Sequence, residues 1–218
     1  FKRQFALVDL LRLDHFRGLS GYWRVNGNSQ TAISGKWINS PGRMLLNKVK
    51  NDLKVDHLPI IAEDLGVITP DVEKLRKSFK LPGMKILQFA FDGNKDNPYL
   101  PKNIVGENWV VYTGTHDNST SISWWKCLDS NSKSRLRDEF NFSDKPSWSL
   151  IEIGMNTNAN LFIVPIQDIL SLDDSCRLNK PGTIKNNWKW KLNQPLEDIE
   201  ENIKTFSKLG RDSGRIRD

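Results

Sequence analysis

Cysteine is scarce in this chain, with Cys127 and Cys176 the only two among 218 residues. They lie far apart and lack C-x-x-C spacing, so neither a disulfide framework nor a zinc site is encoded, and both read as buried or incidental thiols. Long apolar runs are missing as well. No stretch approaches the roughly 18 consecutive apolar residues of a membrane span, and the opening FKRQFALVDLL lacks the basic, apolar, small-residue order of a secretory signal. Repeats and low-complexity segments are absent. With 38% hydrophobic and 27% charged residues, the composition is that of a globular chain able to bury a core. Together these absences predict a soluble protein of the cytoplasm, or of the plastid stroma in a plant or alga, with no membrane partner.

Charge leans one way, with a net +6 and a pI near 9.3. Clustered Lys and Arg would point to nucleic acid, but here the bases are interleaved with acids. Lys74, Arg76, Lys77 and Lys80 share their region with Asp71 and Glu73, and Lys133, Arg135 and Arg137 face Asp138 and Glu139. That is how solvated helix faces look, and no nucleic-acid partner is expected.

What the sequence does contain is alternation. Five apolar runs, VDLLRLDHF, LPIIAEDLG, GMKILQFAF, NWVVYTGTHDN and ANLFIVPIQDIL, each end in polar residues or glycine and are predicted as buried strands. Helical spacing lies between them, in PGRMLLNKVKNDL from Pro41, TPDVEKLRKSF from Thr69 and STSISWWKCL from Ser119. Thr69 is expected to cap its helix through the hydroxyl, with Pro70 as first helical residue. PLEDIEENIKTFSKLG, from Pro195, reads as one amphipathic helix. Strand followed by helix, repeated, predicts an α/β fold with a parallel sheet. The first residues read as the last turns of a helix running directly into a strand, and hence as a start inside a domain.

In parallel α/β folds the reactive groups collect at the carboxyl ends of strands. Here Asp14 follows the first run, Glu63 and Asp64 the second, Asp92 the third, and His116 with Asp117 the fourth. Retaining chemistry at a glycosidic bond needs two carboxyl groups about 5 to 5.5 Å apart, one ionised and one protonated. Neighbouring strands, about 4.8 Å apart, can supply that separation. Asp14 and Glu63 fit: Arg12, two residues back on the same strand face, would pair with Asp14, and the apolar lead-in PIIA suits an acid that keeps its proton. An Asp-His dipeptide alone means little. Asp56-His57 precedes a strand instead of following one and reads as surface. Most of the eight Trp residues are expected in the core, while Trp23 and Trp37 lie in loop-like contexts near the proposed site and are better placed for a sugar ring than Trp188 and Trp190.

The ordered series RLDHFRGLSGYWRV, TAISGKW, SPG, IIAEDLGVITPDV, LPGMKILQFAF, VVYTGTHDN, VPIQDIL and RLNKPGT with NNWKWKL resembles the 4-alpha-glucanotransferases known as amylomaltases or disproportionating enzymes, relatives of the alpha-amylases. The resemblance implies a (β/α)8 TIM barrel, of which residues 1–218 would be the carboxyl-terminal part of a single catalytic domain, with strands resembling the fourth to the eighth and the amino-terminal half absent. Such a piece alone is not expected to turn over substrate. By the same resemblance Asp14 is the nucleophile, Glu63 the general acid/base and Asp117 the third acid. Arg12 is the nucleophile's charge partner, and His116, Asp64 and Asp92 are sugar contacts; His15 is similar to the family's strand-end histidine, and Trp23 is placed with the substrate-binding residues. The implied substrates are alpha-1,4-glucans and maltooligosaccharides, with no metal or organic cofactor. An amylase-type alpha-glucan hydrolase and a non-catalytic glucan-binding fragment remain as alternatives.

Overall fold

The computed structural model describes residues 1–216. The chain divides into two compact units, one from Phe1 to Met84 and a second from Lys85 onward.

In the first unit, helix α1 (Lys2–Phe5) stops short of the first strand. Leu7, Val8 and Leu10 of the apolar run are exposed, so the expected direct passage from helix to strand does not occur, and β1 covers only Leu11–Leu13. It pairs in parallel with β4 (Ile60–Ala62), Leu11 opposite Ile60, Arg12 opposite Ile61 and Leu13 opposite Ala62. All three β4 residues are buried, as a strand covered on both faces requires. Helix α2 (Gly42–Leu53) sets Leu46 and Val49 on the core side, and α3 (Pro70–Ser78) adds Val72 and Leu75 at the same helical spacing. Phe16, Leu58, Ile60, Ala62 and Leu81 complete that core. Burying a side chain such as Phe16 or Leu46 contributes about 1.5–3 kcal/mol.

Two features of this unit depart from the expectations above. Thr69 precedes α3 but makes no side-chain cap; its hydroxyl receives the Arg17 guanidinium at 3.3 Å instead. The segment after Asp14, read as loop, forms an antiparallel hairpin of β2 (Gly21–Val25) and β3 (Gly35–Asn39). Its feet are joined by Ser40 N–H donating to the Ser20 carbonyl at 2.9 Å. Just beyond, a Cβ on Gly42 would stand 2.1 Å from the Leu19 carbonyl oxygen, so no side chain fits there.

A three-stranded sheet runs in the order β5 (Gly83–Ile86), whose last two residues open the second unit, β6 (Trp109–Tyr112) and β7 (Leu161–Ile163), with β6 and β7 parallel. The helices of the second unit are α4 (Ser121–Cys127), α5 (Ser130–Phe140), α6 (Pro146–Met155), α7 (Ile166–Ile169) and α8 (Glu200–Asp212). The core gathers Leu87, Phe91, Val111, Leu136 and Leu150. Trp124 and Trp125 both pack against it, the latter stacked on Phe142 with the rings 4° from parallel. Helix α6 is buried on most of its faces and carries no amphipathic signal for periodicity to find. The tail helix is preceded by a 3₁₀ turn at Leu196–Ile199, so it starts later than Pro195. Cys127 is exposed and Cys176 partly so; both are free, the incidental thiols of the two alternatives and not buried ones. Among the described residues no helix is long and apolar enough to cross a membrane.

Candidate active site

The first unit brings the first two expected acids together. Because Leu13 faces Ala62 in the parallel register, Asp14 and Glu63 follow as the next neighbours at adjacent strand ends. The ladder continues to that point, with Glu63 N–H donating to the Leu13 carbonyl at 3.0 Å and Phe16 N–H to the Glu63 carbonyl at 3.0 Å. His15 lies between these anchors in the left-handed region, φ 49° and ψ 51°. A non-glycine residue there stores on the order of 1–3 kcal/mol and persists only where the surroundings fix it. Phe16, fully buried, and the His15 N–H donating to Glu63 Oε2 at 2.7 Å do so. The other carboxylate oxygen of Glu63 accepts Leu65 N–H at 3.1 Å. The apolar lead-in Ile60–Ala62 is therefore buried beneath Glu63, while its carboxylate turns to backbone donors.

Arg12 meets Asp14 at 2.8 Å and also directs Nε to the Met84 sulfur at 3.4 Å. The Asp14 side chain is 73% exposed. An exposed pair contributes at most about 1 kcal/mol to stability, so this one orients a charge more than it holds the fold. Asp64 is different. Its carboxylate accepts Met84 N–H at 2.7 Å and pairs with Arg76 Nε at 3.0 Å, both side chains more than nine-tenths buried. Expected as a sugar contact, Asp64 is built into the framework behind Glu63, because burial obliges a carboxylate to take fixed partners.

Trp23 lies on β2 opposite Trp37 on β3, their rings 5.6 Å apart and steeply inclined. Trp23 Nε1 donates to the Ala32 carbonyl at 2.8 Å, and the Arg17 guanidinium sits 4.5 Å over the Trp37 ring. Both indoles keep a large exposed face, 40% and 55%. They are strand residues of a protruding hairpin, not loop residues, because both strands are exposed along most of their length and show no buried alternation.

In the second unit, His116 and Asp117 lie in the segment between β6 and α4. Asp117 Oδ1 accepts the Asn179 side-chain amide at 2.5 Å, and its backbone carbonyl accepts Arg177 at 2.5 Å. Nε2 of His116 lies 3.4 Å from the same carboxylate. Trp188 packs its ring 5.0 Å from His116 and remains 62% exposed. Arg177 and Asn179 were not singled out by sequence reasoning, and Trp188 was ranked below Trp23 and Trp37; the signal of all three was their place in RLNKPGT and NNWKWKL. Asp92 stands apart in an exposed turn, where the Asn94 N–H at 2.9 Å and Asn97 hold its carboxyl below the usual range. The control pair Asp56-His57 is exposed and precedes β4. Among the described residues no group of three or more His, Cys, Asp or Glu is placed to hold a metal ion.

Residues 1–197 match the family model described as 4-alpha-glucanotransferase. The chain belongs to the 4-alpha-glucanotransferase family. Over 193 residues it is 44% identical to the 4-alpha-glucanotransferase of Synechocystis, covering 88% of this chain and 38% of that one. It is 43% identical over 219 residues to the chloroplastic/amyloplastic 4-alpha-glucanotransferase of Arabidopsis thaliana, covering 100% and 36%. Among solved structures, the amylomaltase from Streptococcus agalactiae in complex with acarbose superimposes with a TM-score of 0.91 at 31% identity, over 99% of this chain and 43% of that one. The chain thus spans about two fifths of the length of the 4-alpha-glucanotransferases it matches.

Proposed function

We propose that this chain carries the acid residues of a retaining 4-alpha-glucanotransferase acting on alpha-1,4-glucans and maltooligosaccharides. The observation that carries the proposal is the parallel register of β1 and β4, which makes Asp14 and Glu63 neighbours at carboxyl strand ends. At the usual strand spacing of about 4.8 Å such neighbours suit the two-carboxyl geometry of retention. Asp14 is the nucleophile, with Arg12 as its counter-charge, and Glu63 is the acid/base.

In the first step an Asp14 oxygen bonds to the anomeric carbon while the glycosidic bond breaks, and the leaving oxygen takes the proton of Glu63. In the second, the Glu63 carboxylate removes the proton of an acceptor 4-hydroxyl. That oxygen bonds to the anomeric carbon, Asp14 is released, and configuration is retained overall. Asp117 is the third acid and holds sugar hydroxyls in the transition state. His116, Trp188 and Trp23 offer flat faces to sugar rings, a reading in keeping with the acarbose bound in the Streptococcus agalactiae amylomaltase. Asp92 and His15 remain candidates for sugar contact. We assign residues 1–218 to the carboxyl-terminal part of one (β/α)8 barrel, its strands corresponding to the fourth to the eighth, in a soluble enzyme of the cytoplasm or plastid stroma.

The test is incubation of the full-length protein with maltotriose. Longer oligomers together with glucose or maltose are expected, and glucose plus maltose alone would refute transfer in favour of hydrolysis. Asp14→Asn should lower turnover by at least about 10³-fold; unchanged turnover would refute its role as nucleophile.

A further inference from the structure

The second unit holds one buried carboxylate with no part in the steps above. Asp168, in α7, is 1% exposed. Its Oδ2 accepts the Thr113 hydroxyl at 2.5 Å and the Ser121 hydroxyl at 2.7 Å, and its Oδ1 accepts Ser121 N–H at 2.7 Å. Thr113 is the residue that follows β6, and Ser121 is the first residue of α4. Between them run Gly114 to Thr120, with His116 and Asp117 at the middle. A single carboxylate thereby fastens both ends of the segment that presents Asp117.

The surroundings restrict the same segment. Gln88 N–H donates to the Thr113 carbonyl and its side-chain amide to the Ser119 carbonyl. Thr115 closes on Asn118 through three hydrogen bonds, and Thr120 N–H donates to Asp174. A Cβ on Gly114 would approach the Gln88 amide nitrogen to 2.7 Å, so a side chain there would have to displace the amide that holds the Ser119 carbonyl. A buried carboxylate is costly, and an apolar residue of similar volume would often stabilise a core at least as well. What the carboxylate adds is directional: three donors from two chain positions meet at oxygens fixed relative to one another.

We propose that Asp168 is a positioning residue that acts through Asp117, fixing the strand-end segment so that the Asp117 carboxylate is presented in one orientation. The proposal rests on the assignment of Asp117 made above. Asp168 touches no substrate; its effect on turnover passes through the segment it clamps. The loss of such a group appears in kcat more than in KM, because Asp117 is assigned to the transition state.

The experiment is a double-mutant cycle in the full-length enzyme, with maltotriose disproportionation as readout. Asp168→Asn is expected to lower kcat about tenfold or more while KM stays within about twofold. Introduced into Asp117→Asn, it is expected to change the residual kcat by less than about twofold, since the group it positions has gone. An equal loss in both backgrounds, or a kcat within about twofold of wild type in the single variant, would overturn the proposal. Should Asp168→Asn give no folded protein, Thr113→Val combined with Ser121→Ala removes both hydroxyl donors and leaves the Ser121 amide. That variant must show the same dependence on Asp117, and additivity overturns the proposal equally. A wild-type kcat in Asp117→Asn alone would refute the parent assignment, which separates the two failures.

Discussion

The backbone N–H of His15 donates to Glu63 Oε2 at 2.7 Å, so the left-handed residue that turns the chain away from Asp14 is fastened by the acid at the next strand end. The strained residue and the proposed acid pair thus form one mechanical unit, in which each acid's setting depends on the other strand.

Side-chain chemistry at position 15 should matter for stability through backbone preference. Glycine populates the left-handed region freely, whereas a β-branched residue does not. His15→Gly is expected to leave the unfolding free energy of the full-length protein within about 1 kcal/mol of wild type, and His15→Val to lower it by about 1–3 kcal/mol. Urea titration distinguishes them; equal midpoints would remove strain at this residue as an explanation.

Arg12 separates function from stability. Its partner Asp14 is largely exposed, so Arg12→Gln should change the unfolding free energy by no more than about 1 kcal/mol. Turnover should nonetheless fall about tenfold or more, because the proposed nucleophile loses its counter-charge and its orientation. A variant that unfolds readily but turns over normally when folded would contradict both halves.

Asn179 donates to the Asp117 carboxylate at 2.5 Å. Asn179→Ala removes one donor, whereas Asn179→Asp sets a second carboxylate against the first. The aspartate variant should therefore be the slower of the two at neutral pH, and the difference should shrink as the pH is lowered towards carboxylate titration. A pH profile of kcat for both variants is the measurement, and equal rates across the range would count against this contact.

Burial pushes the Asp168 carboxyl above its ordinary value of 3.8, against the pull of its Thr113 and Ser121 donors. Between 3.8 and the raised native value, the folded protein binds more protons at this group than the unfolded chain does. Its contribution to stability therefore declines as pH rises through that window and is level above it. The unfolding free energy of wild type minus that of Asp168→Asn should decrease from about pH 4 upwards. Urea titrations at several pH values test the sign, and a difference that grows with pH would contradict it.

Sequence reading located the acids better than the surroundings that control them. Asp14 and Glu63 were legible because apolar runs ending in charge mark strand ends, a pattern set by neighbours along the chain. Asp168 gave no such signal. Its partners Thr113 and Ser121 lie 55 and 47 residues away, and ANLFIVPIQDIL reads as a strand whatever its aspartate touches, although Ile166–Ile169 forms a helix. The partners of Asp64 were hidden for the same reason: adjacent to Glu63 in sequence, it pairs with an arginine on the next helix, which only folding brings near. The β2–β3 hairpin was hidden because its strands bury neither face, so the alternation that announces a strand is missing.

That hairpin leaves and rejoins the body of its unit at Ser20 and Ser40, which are hydrogen-bonded to each other. Everything between these two serines is an excursion whose ends are already closed, and such segments tolerate changes in length better than the elements that flank them. Residues added or trimmed near its tip are therefore expected to leave the step between β1 and β4 in place. On the proposed assignment of Trp23 to a sugar face, exchanging its indole is expected to change substrate preference while the acid pair stays in register.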